Sequence, residues 1–117
     1  MKSKLLEALQ PLGVTVLLQG TLLENEQIPA DFVTFWTADS SSAADFDNKS
    51  ALTAWEYQIA CYSSSPSRLE QLAKSVRNAL LSAGFIPQGK GRDLPSDLPN
   101  YTGWVCDYFY LENEGVL

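Results

Sequence analysis

Three features of the sequence predict an α+β fold: a mostly antiparallel sheet of four to five strands, one long helix packed on it, and a short N-terminal helix. The first is a helical stripe. Leu69, Leu72, Ala73, Val76, Ala79, Leu80 and Ala83 recur at the spacing that gathers apolar side chains on one helix face. The second is a set of runs rich in β-branched and aromatic residues at period two, clearest in TAWEYQIACYS and YTGWVCDYFYLE. The third is length, because 117 residues close one core without disulfides or metal and do not suffice for two. A helix laid across an antiparallel-rich sheet is the layered solution that buries both apolar surfaces. One domain is expected over 1–117, with 113–117 as a loose tail.

The first element is a short helix over 3–11. Leu5, Leu6, Leu9 and Leu12 recur at helical spacing, Ser3 can cap the start, and Pro11 with Gly13 stops the run. Residues 14–19 follow as a first strand, apolar enough to be covered on both faces. LENEQIPAD reads as a loop, and DFVTFWTAD as a second strand. DSSSAADFDNKSA is rich in Asp, Ser and Asn, whose side chains satisfy turns, so it reads as a long connecting loop. In the third strand Trp55, Tyr57, Ile59 and Cys61 share one face, with Glu56, Gln58 and Ala60 on the other.

The long helix has both of its boundaries written in the chain. Ser65 precedes Pro66, Ser67 with Glu70 offers a capping box, and Gly84 stands past the end. FIPQG then makes a short strand, and YTGWVCDYFYLE a longer one, apolar on both sides and therefore central. Between them lies a charged loop over 85–103. Its glycines, Gly89, Gly91 and Gly103, permit unusual backbone, while Pro87, Pro95 and Pro99 restrict it.

Several chemistries fail on these residues. Eight basic residues against fourteen acidic ones give a net charge of −6, with no Lys/Arg stripe to neutralise successive phosphates, so no specific nucleic-acid binding is expected. The start MKSKLLEALQPLG is interrupted by Glu7 and Gln10 and is not a signal peptide; no stretch is long enough to span a bilayer, and no membrane partner is expected. A soluble protein of the cytoplasm follows as the expectation. Cys61 and Cys106 sit inside strand-like segments as small reduced core residues, and the chain has no histidine to serve as base or metal ligand.

Gly89-Lys90-Gly91-Arg92 leads into prolines and a strand rather than a helix, which is not how a phosphate loop is built. Asp39, Asp45, Asp47 and Asn48 miss the calcium-loop spacing and read as a solvated turn. The serine runs have neither a nucleophile elbow nor a histidine, and Asp93 with Asp97 is a carboxylate pair whose separation the loop leaves open. Trp36, Trp55 and Trp104, without a basic groove, are core or interface anchors rather than a base-stacking platform. No catalytic residue, cofactor or metal is expected.

The succession FVTFW, DFDNKS, AWEYQIACYSSSPSRLEQL and LLSAGFIPQGKGRDLPSDLPNYTGW runs in order from about Leu17 to Glu112. It resembles small proteins from the head-to-tail joining region of long-tailed phages and prophages of Gram-positive bacteria, the tail completion or tail terminator proteins. The most specific parts are CYS-x-x-P before the long helix and G-K-G-x-D-x-x-S-D-x-P-x-x-T-G after it. Related sequences tend to carry His at or beside the position of Asn100.

The resemblance implies an α+β fold and a structural, non-enzymatic subunit. It implies assembly as a hexameric ring on the end of the tail tube, stopping tube growth and presenting a surface to the head connector. Expected partners are further copies of the chain, the tail tube protein and head connector or neck proteins, with residence in the tail or neck of the virion after synthesis in a bacterial cytoplasm. Head closure, or another connector role in the neck, is the alternative; a small-molecule-binding or enzymatic α+β domain with a preformed apolar pocket is the remoter one. Ring subunits meet through two different surfaces that must be complementary. The candidate interface residues are Asp39, Asp45, Asp47, Lys90, Arg92, Asp93, Asp97 and Tyr101, with Lys90 and Arg92 placed to pair with a neighbour's acids.

Overall fold

The computed structural model describes residues 2–18, 29–44, 52–95 and 100–113. In chain order they form α1 (Lys2–Leu9), a 3₁₀ turn (Gln10–Leu12), β1 (Thr15–Leu18), β2 (Asp31–Ala44), β3 (Leu52–Ser63), α2 (Pro66–Ser82), β4 (Ile86–Leu94) and β5 (Thr102–Asn113). The strands make one mixed sheet in the order β1-β2-β3-β5-β4, parallel between β1 and β2 and antiparallel elsewhere. This is the α+β architecture the sequence predicts.

Local chemistry sets the helix ends. Gly13 takes the left-handed φ of 67° and donates its N–H to the Gln10 carbonyl, closing the 3₁₀ turn that Pro11 begins. Ser65 is the N-cap of α2: its backbone is extended, its Oγ accepts from the Arg68 N–H at 3.5 Å, and Pro66 fills the first helical turn, where no N–H is needed. The Ser67–Glu70 capping box is therefore corrected. The helix has already begun at Pro66, and Ser67 Oγ lies 3.2 Å from Ser65 Oγ instead.

Two segments expected as loops are strands. Residues 40–44 continue β2, which pairs with β3 through two register shifts, at Thr37/Asp39 and Ser42/Ala44. Residues 89–94 continue β4, with Gly89, Lys90 and Gly91 standing opposite Cys106 alone. In both cases pairing with a partner strand outweighs the local turn preference of Ser, Asp and Gly, since strand propensity depends heavily on context. Asn113 likewise closes β5, and the rest of the expected tail, 114–117, lies outside the described residues.

Cross-strand register assigns the two faces. Val33, Phe35, Tyr57, Ile59, Cys61, Cys106 and Tyr108 point to the helix side, where they form the core with Leu5 and Leu9 of α1, Leu69, Val76 and Leu80 of α2, and Phe85. The opposite face carries Phe32, Ala60 and Val105, buried at its centre, and Trp36, Ile86 and Leu111, which are 40%, 54% and 51% exposed. No described element covers these three. The molecule is elongated, 52 × 28 × 25 Å, with a radius of gyration of 15.5 Å. A compact chain of this length would give about 13 Å. The cause is visible in the sheet: β1 pairs only with Phe32 to Phe35, so the rest of β2 runs on with β3 and β5 as a three-stranded arm.

Candidate functional site

Alternation along β3 and β5 lays an apolar floor of Ile59, Cys61, Cys106 and Tyr108, and the apolar stripe of α2 brings Leu69, Ala73 and Val76 against one side of it. Toward β4 the helix leaves the floor uncovered, and a groove of about 640 Å³ remains. Its far wall is the β4 bulge with Trp104. Arg77 Nη1 donates to the Gly89 carbonyl at 3.0 Å and Trp104 Nε1 to the Lys90 carbonyl at 3.2 Å, so the bulge is held from α2 and from β5 at once. The charged side chains along the groove are Lys74, Arg77 and Lys90, with Glu70 and Asp93.

At the same end of the sheet, the CYS-x-x-P pattern has a structural role. Ser63, fully buried, donates its hydroxyl to Asp31 Oδ1 at 2.6 Å and accepts the Ser65 N–H at 3.1 Å. Arg68 Nε reaches the same Asp31 oxygen at 3.3 Å, and its Nη2 donates to Ser64 Oγ at 2.9 Å. These contacts tie the start of β2, the end of β3 and the first turn of α2 into one corner.

The groove floor is not built for nucleophilic chemistry. Burial, and then the neighbouring Cys106, push the Cys61 thiol up to about 12. Burial likewise raises Cys106 and Tyr108. Thiols held protonated are poor nucleophiles and poor metal ligands. Among the described residues, no group of three or more His, Cys, Asp or Glu side chains is placed to hold a metal ion, and no helix is long and apolar enough to cross a membrane.

The raised thiol has a consequence for stability. The unfolded chain loses the Cys61 proton from about pH 9, whereas the folded protein keeps it until about 12. Deprotonation therefore favours the unfolded state across that window. The contribution is whole below pH 9 and falls, by up to about 1.4 kcal/mol per pH unit for such a group, as pH rises toward 12. Urea unfolding between pH 8 and 11 is expected to show a steeper alkaline loss in the wild type than in Cys61→Ala. Parallel curves would show that Cys61 does not supply it.

The candidate interface residues divide between places. Lys90 and Asp93 border the groove, whereas Arg92, opposite Val105, lies on the other face of the sheet. Tyr101 is half-buried, donating its hydroxyl to the Pro29 carbonyl at 2.7 Å with its ring 5.9 Å from that of Phe32. Asp39 stands on β2 opposite Glu56. Asp45, Asp47 and Asp97 lie outside the described residues. Sequence reasoning did not single out Lys74, Arg77, Asp31 or Arg68; the signal for the corner was the CYS-x-x-P pattern that carries Ser63.

No protein-family model matches this chain, and no curated protein sequence matches it. Among solved structures it is similar to a chain described as the virion of a native gene transfer agent particle. The TM-score is 0.68 at 12% identity, over 92% of this chain and 84% of that one. At that identity the likeness is one of fold.

Proposed function

We propose that this protein is a structural, non-enzymatic subunit of a phage-like virion, a tail terminator that assembles as a ring, stops growth of the tail tube and offers a surface to the head connector. The observation that carries this reading is the fold likeness, over nearly the whole chain, to a chain from a gene transfer agent virion. It agrees with the resemblance of the residues from Leu17 to Glu112 to neck proteins. The elongated shape adds support, because a three-stranded arm, with Trp36, Ile86 and Leu111 exposed on the sheet face away from the helices, gives a small subunit more surface for neighbours than a sphere would.

The groove between α2 and β4 is the observation that favours a second reading, a ligand-binding α+β domain, since it is apolar with a few polar groups around it. One experiment separates the two. Light scattering across a wide concentration range, with the protein alone and with its tail tube protein, is expected to show a mass near six times that of the chain, formed spontaneously or on the tube end. A monomer at every concentration that ignores tubes would overturn the terminator reading. A ring that binds filled heads and not tubes would move the protein to head closure.

A further inference from the structure

We propose that the groove between α2 and β4 receives the acidic end of the β2–β3 arm of a second copy, with Phe46 on the apolar floor and Asp45 and Asp47 against Lys74 and Lys90. This rests on the ring reading and names the contact that would build the ring. The groove asks for an apolar group flanked by negative charge, because three cations and two acids border a floor of aliphatic, thiol and aromatic side chains. The chain supplies such a segment in the residues joining Ala44 to Leu52, where Asp45, Phe46 and Asp47 are consecutive.

Covalent reach makes the donor a different molecule. The groove is floored by Ile59 and Cys61 of β3, while the connection begins at Leu52, seven to nine residues away along the same strand. At ~3.3 Å per residue that is about 23–30 Å. The connection comprises residues 45–51, and its midpoint reaches back at most about 14 Å from the strand ends. A subunit therefore cannot fill its own groove, whereas a neighbour's arm can. Donor end and acceptor groove are different surfaces, so the contact is heterologous and repeats head to tail, the kind of contact that closes a ring. The charges agree in sign, and a phenyl ring on a desolvated floor is the kind of anchor that carries binding energy.

The test uses the full chain and two reversals, Lys74→Glu with Lys90→Glu in the groove and Asp45→Lys with Asp47→Lys on the arm. Lys74 and Lys90 are exposed, so the groove reversal is expected to leave the urea midpoint unchanged. Each reversal alone is expected to raise the concentration needed for assembly at least tenfold, and both together in one chain to restore it to within a few-fold. Phe46→Ala is expected to raise it at least tenfold, with no rescue by either reversal. A wild-type ring indifferent to the reversals and to Phe46→Ala would overturn this contact and leave the ring reading standing. For a wild type that stays monomeric, the peptide ADFDNKSA is the probe. Binding that changes tryptophan fluorescence and is lost in the groove reversal supports the contact without the ring, and absence of binding overturns the contact.

Discussion

Replacing Phe85 by alanine is expected to cost about 3–5 kcal/mol, the largest loss anticipated from any single side chain in this fold. Phe85 is 1% exposed and sits where α2 passes the chain to β4. Its N–H donates to the Leu80 carbonyl at 2.9 Å, one residue after Gly84 turns the backbone at φ +95°. That turn drops the ring between Tyr57, edge-on at 6.4 Å, and Tyr110, tilted at 4.8 Å, so one side chain joins the helix layer to β3 and β5. Truncation leaves a cavity that neither layer can fill, because the flanking tyrosines are anchored in different strands. Domains of this size are stable by only about 5–15 kcal/mol, so the urea midpoint should fall by about a fifth of its value or more. Phe85→Leu should recover most of the loss. An alanine variant within about 1 kcal/mol of the wild type would mean that the ring is not packed between the two layers.

The helix α2 was legible because its signals are local. Ser65, Pro66, the apolar stripe and Gly84 each act on neighbours within a turn or two. The lengths of β2 and β4 were not, since Ser40, Ser41 and Ser42 prefer turns in isolation and become strand only through pairing with Trp55, Ala54 and Thr53. The same limit applies to the groove. Lys74 and Arg77 look like the solvated face of a helix until β4 is found beside them, and the bulge at Gly89–Gly91, which breaks the two-residue alternation of β4, decides that Lys90 borders the groove while Arg92 does not. The corner hydrogen bond between Ser63 and Asp31 spans 32 residues of sequence. Spacing within a single segment carries no trace of such a contact.

Gly91→Ala is the second large effect expected, and its comparison with Gly89→Ala shows why the G-K-G step is built as it is. Both glycines have left-handed backbone, φ +94° at Gly91 and +76° at Gly89, which costs an alanine about 1 kcal/mol or somewhat more. At Gly89 an added Cβ would meet nothing within 4 Å. At Gly91 it would collide with the indole nitrogen of Trp104 and lie 2.8 Å from the Val105 carbonyl oxygen. The carbonyl is part of β5 and cannot retreat without loosening the β4–β5 pairing; the indole can retreat only by giving up its hydrogen bond to Lys90. Gly91→Ala should therefore cost about 2–4 kcal/mol and Gly89→Ala about 1 kcal/mol, read as a difference in urea midpoints. Tryptophan emission should shift in the first variant and not in the second, because only the first unseats Trp104. Equal losses with unchanged emission would show that Trp104 does not rest on Gly91, and the groove wall would then have to be held by Arg77 alone.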